Sequence, residues 1–382
     1  MRARHWLGRG IGLAVALTPV AARAQGNLSG VGLGYPEGEL STAALGMGGG
    51  LAEFDPLSPV NPAALTGLSS VSIHVQYDPE YRTVSVGSVS EHSTTSRFPI
   101  IEVTAPINSR ITVALSAASF LDRTWSTSTT APVQVGDTTL QSTATFRSDG
   151  GITDVRLAAG WQPTSWLRVG LGLHELTGED RVTLTRTFAD TSVVKASAFN
   201  QFTVYGFTGF AGSLGVELQP VPAFGFAASY RAGGTLRARL ADTLKNKANV
   251  PPRIGAALRF NGVPGLTVAA RADWEGWSQV DGFGTSVTGH DALEIGGGVD
   301  LAGPRMSANR PLFLRAGARV RDLPFLANGS VVHETDFSGG LGVPVAGPHG
   351  LIDVAVQHAS RTAPIGVGET AWTISVGLTV RP

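Results

Sequence analysis

Cysteine is absent from all 382 residues, which removes disulfides, thiolate nucleophiles and thiolate metal ligands together. Charge is sparse as well: Asp, Glu, Lys and Arg make up 15% of the chain, against roughly 25% in an ordinary soluble domain. The 29 basic and 29 acidic residues cancel, so no net field recruits nucleic acid or an anionic surface. No apolar run approaches the ~20 residues that a membrane helix requires, which argues against a helical membrane protein. The eight histidines, among them His174, His290, His333 and His358, show no close metal-ligand spacing, and no G-x-S-x-G element or phosphate loop is present. No catalytic residue, metal site or cofactor is therefore expected, although groups on distant strands could still converge.

What is present is glycine, 49 residues of 382, and a recurrent alternation of apolar and polar residues. Between Gly265 and Trp274, the residues Leu266, Val268, Ala270, Ala272 and Trp274 share one face, and Thr267, Arg271 and Asp273 share the other. One face suits lipid and the other water. Comparable segments recur at about 69–89, 98–106, 110–119, 151–161, 166–174, 201–218, 223–231, 252–260, 265–275, 291–301, 312–321, 335–345, 351–359 and 371–380. Their connections alternate strictly between short (107–110, 162–165, 219–222, 261–264, 303–310, 346–350) and long (120–150, 175–200, 232–251, 276–290, 322–334, 360–370). Short turns on one side and long loops on the other mark a barrel of the bacterial outer membrane, and a soluble β-sandwich has no reason to segregate them. Trp161, Trp166, Phe224 and Phe260 lie near short turns, and Trp274, Trp277 and Trp372 near long ones, as two interfacial girdles require.

The expected fold is thus an all-β transmembrane antiparallel β-barrel of about fourteen strands, residues 69–382. Arg2, Arg4 and Arg9, the apolar stretch Ile11–Val20 and Ala22-Arg23-Ala24 have the layout of a secretory signal peptide, residues 1–24. Residues 25–68 do not keep the strand period and contain Gly46-Met47-Gly48-Gly49-Gly50, Asp55-Pro56 and Asn61-Pro62, the composition of a compact, turn-rich unit.

Asn61-Pro62-Ala63 in that unit resembles the N-terminal plug of the FadL-type family of outer-membrane transporters, which includes TodX-like members. Phe98–Asn108 is similar to that family's second strand and first periplasmic turn. Trp277-Ser278-Gln279 and Arg321-Asp322-Leu323-Pro324-Phe325 are similar to two further elements, in the same order. The resemblance implies passive transport of hydrophobic small molecules, long-chain fatty acids or hydrocarbons, through a barrel plugged by a hatch. It implies lateral release through a wall opening at a kinked early strand, by position 110–119. The implied partners are the hydrophobic ligand, outer-membrane lipid and the barrel-assembly machinery, with no nucleic acid. The chain departs from the family pattern in Trp125–Phe146, where Ser and Thr replace the apolar surfaces that collect ligand. Rival readings are a secretion-system scaffold or shuttle on the same fold, and a general porin.

Within the lumen, Leu51, Phe54, Asn61, Pro62 and Ala63 are the candidate hatch residues. Inward positions carry Arg253, Arg259, Arg271, Asp273, Glu294, Asp300, Arg315, Arg319 and Arg321. Arg315 and Arg319 are the candidates for meeting a ligand carboxylate through a bidentate hydrogen bond. The alternative is an ion-pair ladder that braces wall and hatch.

Overall fold

The computed structural model describes residues 34–86, 89–135, 138–189, 198–280, 289–305, 311–327, 329–345, 349–363 and 367–382. The expected signal at 1–24 and residues 25–33 of the expected hatch lie outside them. The strand segments are β1 (Ser72–Val86), β2 (Val89–Arg97), β3 (Ile100–Pro106), β4 (Ile111–Asp122), β5 (Trp125–Val135), β6 (Thr138–Thr164), β7 (Leu167–Phe188), β8 (Phe199–Val221) and β9 (Phe224–Gly233). They continue as β10 (Thr235–Leu240), β11 (Thr243–Asn249), β12 (Arg253–Val263), β13 (Leu266–Glu275), β14 (Ala292–Arg305), β15 (Pro311–Ala327), β16 (Ser330–Val345), β17 (Gly350–Ala363) and β18 (Val367–Val380).

These segments make a closed antiparallel barrel of 14 strands. β2 and β3 are one wall strand, both paired to β1 and interrupted at Phe98 and Pro99. β4 and β5 are successive partners of β6, β9 and β10 of β8, and β11 and β12 run beside β10 and β9. Closure comes from β1 against β18, in register from Ile73↔Val380 to Val86↔Val367. From the short turns up to the break at Phe98 and Pro99, each described wall strand is then paired on both sides, as lipid, which cannot satisfy an open edge, requires.

The period-two reading holds at the level of side chains. On β18, Trp372, Ile374, Val376, Leu378 and Val380 are exposed, while Glu369, Ala371, Ser375 and Thr379 are buried. A buried polar row beside an exposed apolar row is the inverse of a soluble sheet and is what a lipid-facing wall requires. Trp161, Trp166, Phe224 and Trp372 are about half exposed on the outer face, as interfacial aromatics should be. Trp277 is a correction to the expected girdle. It is buried in a 3-10 turn, Trp277–Val280, stacked on Phe120 at 5.5 Å, with its indole N–H donating to Glu275 Oε2 at 2.5 Å. It packs with Leu121, Ile152, Leu176, Phe207 and Leu236 in an apolar cluster near the long-connection end of the barrel.

Five of the six expected long loops, 120–150, 175–200, 232–251, 322–334 and 360–370, are largely sheet among their described residues. β6 runs 27 residues, β7 22 and β8 23, and β10 pairs with β11 as a hairpin. Beyond the membrane a strand has water on both faces, so the alternation that marks it from sequence disappears while its Thr, Val and Phe content still favours extended backbone. In the β5–β6 hairpin, Ser128 with Thr145 and Thr130 with Thr143 share cross-strand hydroxyl hydrogen bonds of 2.9 and 3.0 Å.

Residues 34–68 lie against inward-facing wall positions. Ser41 caps α1 (Thr42–Gly46), accepting from the Ala44 N–H, and Asn61 Oδ1 accepts from the Ala63 N–H at 2.9 Å to start the 3-10 turn Pro62–Gly67. Asp55 ties the unit together through Ser41, Ser58 and the Leu57 N–H. The run Gly46–Gly50 meets the wall backbone to backbone: a Cβ on Gly317 would overlap Met47 and Gly48, and one on Gly296 would overlap the Gly48 carbonyl. Glycine on both sides is what allows this close approach.

Candidate functional site

The lumen is occupied by ion pairs, and residues 34–40 sit in the densest group. Tyr35 is joined to β4 by paired backbone hydrogen bonds, its N–H to the Asp122 carbonyl at 2.7 Å and the reverse at 2.9 Å. Its hydroxyl donates to Glu334 Oε2 at 2.9 Å and accepts from Arg361 Nη2 at 2.8 Å and from Arg321. Four guanidinium groups surround its ring, with Arg361 at 4.5 Å, Arg321 at 4.9 Å, Arg97 at 5.6 Å and Arg82 at 5.7 Å from the centroid. Each arginine is in turn paired: Arg361 with Glu334 (2.5 Å) and Glu80 (3.1 Å), Arg321 with Glu334 (2.5 Å), Arg82 with Glu80 (2.5 Å), Arg97 with Glu80 (2.6 Å) and Glu37. Burying such charges is tolerable only because nearly every one has an opposite partner.

A second group holds Glu39 and Glu53. Glu39 receives Arg231 Nη1 at 2.8 Å, and Arg231 also lies 3.6 Å from Asp154. Glu53 receives Arg253 at 2.9 Å, and Arg253 continues to Asp273 at 2.5 Å. In this group Ser213 Oγ is 2.8 Å from His174 Nε2, and His174 Nδ1 is 2.8 Å from Asp154. That is the connectivity of a nucleophile, base and acid. Here the three are buried side chains on adjacent strands β8, β7 and β6, whose backbone amides are committed to ladder pairing. We read it as a satisfied polar brace, since an oxyanion needs donors that are not already in use.

The residues singled out from sequence fall as follows. Arg319 donates Nε to Asp336 Oδ2 at 2.7 Å and lies 3.4 Å from Glu294, and Arg315 donates to Asp300 at 3.0 Å and to Asp353. Both guanidinium groups therefore already hold carboxylates of the wall. Asn61 Nδ2 donates to the Glu53 carbonyl at 2.9 Å and to the Val216 carbonyl at 3.3 Å, and Pro62 covers Gly170 and Gly215. Ala63 is buried, and Phe54 stacks under Arg259 at 4.4 Å, with Leu51 and Ala227 beside it. Tyr35, Glu80, Glu334 and Arg361 were not picked out from sequence. The last three occupy inward positions of β1, β16 and β17, so strand period could have flagged them; Tyr35 lies where no period exists.

Space inside is small. A cavity of about 40 Å³ lies between Glu39, Arg231, Arg271, Glu294, Phe120 and Trp277. It has room for water and is well below the ~150 Å³ that accommodates benzene. Among the described residues no cluster of His, Asp and Glu could hold a metal ion.

A larger crevice, about 350 Å³, opens in the wall itself. It runs from Phe98, exposed on the outer face, to the buried pair Arg97 and Asp122 on the inner face, and is bordered by Ser119, Gly150 and Gly178. Its origin is local. Pro99 has no N–H to offer a ladder. The β3–β4 ladder stops at Ile100↔Ala118, with one further bond from the Ser119 N–H to the Pro99 carbonyl. β4 then bulges against β6 between Ser119 and Leu121. Beyond this point β2 follows β1 and β5 follows β6, and no described ladder joins β2 to β5.

No family model and no curated protein sequence matches the chain. Solved structures do. A Pseudomonas aeruginosa FadL homologue superposes with a TM-score of 0.61 at 13% identity, over 91% of this chain and 99% of that one. The Pseudomonas putida toluene transporter TodX gives 0.55 at 13%, over 89% and 97%. The Ralstonia pickettii toluene transporter TbuX gives 0.52 at 14%, over 90% and 98%. The near-complete coverage in both directions, with the strand count and closure described above, establishes that this chain has the FadL-type barrel fold.

Proposed function

We propose that this protein is an integral channel of the bacterial outer membrane that passes hydrophobic small molecules, with residues 34–68 as its hatch and the crevice at Phe98, Pro99 and Ser119 as its lateral exit. The observation that carries the reading is the combination of a filled lumen with a wall whose ladder is interrupted at Phe98 and Pro99. The solved structures of this fold include proteins described as toluene transporters and a monoaromatic hydrocarbon channel. An open porin would need an aqueous path, whereas among the described residues the hatch and the inward ion pairs fill the lumen around a cavity of about 40 Å³. An apolar solute therefore has to displace part of the hatch, and the arm at residues 34–40 is held by the ion pairs around Tyr35 and Glu39 together with one pair of backbone hydrogen bonds between Tyr35 and Asp122. Once past it, the solute meets a wall whose ladder is already interrupted, and leaving sideways into lipid avoids exposing it to water.

In this reading Arg315 and Arg319 brace the wall rather than bind ligand, because a ligand carboxylate would have to displace Asp353 or Asp336. Two measurements test the function together. Purified protein in liposomes should take up toluene or a long-chain fatty acid, and Ser119→Trp, which fills the crevice, should abolish uptake while leaving the barrel folded. Deleting residues 26–66 should open a steady ion conductance in a planar bilayer. A silent bilayer after deletion overturns the hatch, and normal uptake by Ser119→Trp overturns the lateral exit.

A further inference from the structure

One group of charges lies outside the lumen and its ion-pair network. In β10, Leu236 and Ala238 are buried on the inner side, and Arg237 and Arg239 stand exposed on the outer side. Across the hairpin, Arg237 is in register with Lys247 and Arg239 with Leu244, and Lys245 occupies the irregularity between them. Only three lysines occur in the chain, and two of them fall in the seven residues of β11. Like charges directly opposite on an antiparallel pair repel. The exposed ion pairs of the described outer surface, Arg147 with Asp149 and His333 with Asp322, involve none of these four cations. Glu179 on β7 is separated from Arg239 by Gly206 of β8, two strand spacings or about 10 Å away.

The height of the group on the wall is fixed by its neighbours. The Gly234 N–H bonds the Phe210 carbonyl at 2.8 Å, and the Val250 N–H bonds the Gly234 carbonyl at 2.9 Å. Toward the short-turn end from that line, the outward residues are Phe210, Leu214, Tyr230, Ile254 and Leu258, all exposed and apolar or aromatic. Arg237 and Lys247 come three residues beyond the line on each strand. Three residues rise about 10 Å, or about 8 Å along the membrane normal at the usual barrel tilt. The polar layer outside the hydrocarbon is about 5–8 Å deep, so these cations stand at its level.

We propose that the outer face of β10 and β11 is a binding site for the phosphate groups of an anionic lipid in the outer leaflet, whose acyl chains lie over Phe210, Leu214 and Tyr230. Arg237 and Arg239 offer forked donors to phosphate oxygens, Lys247 adds a point charge, and the bound phosphate relieves the repulsion across the hairpin. The site rests on the outer-membrane reading above, because only there does a headgroup layer meet this rim.

The test is native mass spectrometry of the full-length protein extracted from outer membranes in mild detergent, comparing wild type, Arg237→Ala/Lys247→Ala and Arg110→Ala, which removes a charge at the short-turn end. Wild type and Arg110→Ala should retain a phosphorylated glycolipid, and the double variant should retain it about 30-fold more weakly, each charge contributing about fivefold at a membrane surface. Equal retention by the double variant, or equal retention of enzymatically dephosphorylated glycolipid, overturns the site. Loss of the lipid from wild type in 10 mM inorganic phosphate alone would reduce it to an adventitious anion site and overturn it too. Density fractionation separates the two claims: a barrel absent from the outer-membrane fraction sinks the localisation, and one present there with unchanged lipid sinks only this proposal.

Discussion

In the proposed hatch, Tyr35 anchors the arm at residues 34–40, and its removal gives a quantitative test of arm opening. Tyr35→Phe keeps the ring among Arg361, Arg321, Arg97 and Arg82 but deletes the hydroxyl that bonds Glu334 and accepts from Arg361 and Arg321. Hydrogen bonds to charged groups contribute about 1.5–3 kcal/mol, and part of that is recovered as Arg361 and Glu334 still pair directly. A net loss of about 2 kcal/mol shifts the open-to-closed ratio of the arm about 30-fold. Tyr35→Ala also removes cation–π contacts, about 0.5–2 kcal/mol each, and should shift it further. Because the protein has no cysteine, a single Pro36→Cys reporter can be labelled with a maleimide without background. Labelling should accelerate about 30-fold in Tyr35→Phe and more in Tyr35→Ala, with both barrels retaining heat-modifiable migration on gels. If Tyr35→Phe labels at the wild-type rate, the hydroxyl does not hold the arm and the latch reasoning fails.

Three other consequences are open to measurement. Burial, with Asp122, Asp78 and Glu80 nearby, pushes Glu37 up from the ordinary 4.5 to about 8 despite Arg97; a raised value favours the docked arm at low pH and loses that contribution as pH rises through about 8. Pro36→Cys labelling should therefore quicken between pH 6 and pH 9, and Glu37→Gln should flatten the profile; an unchanged slope in Glu37→Gln would remove Glu37 as the cause. Asp336→Ala removes the nearest carboxylate of Arg319 and leaves Glu294 at 3.4 Å and Glu334 at 3.6 Å, so it should cost less than the ~3–5 kcal/mol of a fully unpaired buried charge, read as a lower unfolding midpoint in urea, and Asp336→Leu with Arg319→Met should recover most of it. If Arg319→Met instead left stability intact and abolished fatty-acid uptake, Arg319 would be a ligand contact and not a brace. Gly317→Val should force α1 and the Gly46–Gly50 run off the wall and produce a leak current in planar bilayers, whereas a sealed barrel would show that this packing does not seat the hatch.

The barrel was legible because lipid and lumen impose opposite demands on successive residues, and that contrast is written at period two. Strands such as β13 and β18 could be read directly, and short turns could be told from long connections. The extensions of β6, β7 and β8 could not, because water on both sides of a strand erases the contrast. Trp277 was placed in a girdle by its position at a strand end, yet the 3-10 turn after β13 folds it inward onto Phe120. The inward charges of Arg315 and Arg319 were visible in sequence, as were Asp300 and Glu294 on the neighbouring strand, but not Asp353 and Asp336, which take the remaining donors.

What the sequence by itself determined is therefore which residues face lipid, which face inward, and how many strands there are, since each is a local property of neighbouring positions. Only the tertiary structure decided who meets whom. Closing β1 onto β18 brings Glu80 of β1, Glu334 of β16 and Arg361 of β17 around Tyr35, residues hundreds of positions apart whose pairing no local pattern encodes. Among the described ladders, the same closure leaves an interruption at Phe98 and Pro99. A proline there cannot extend the ladder, and the bulge of β4 against β6 between Ser119 and Leu121 borders the crevice.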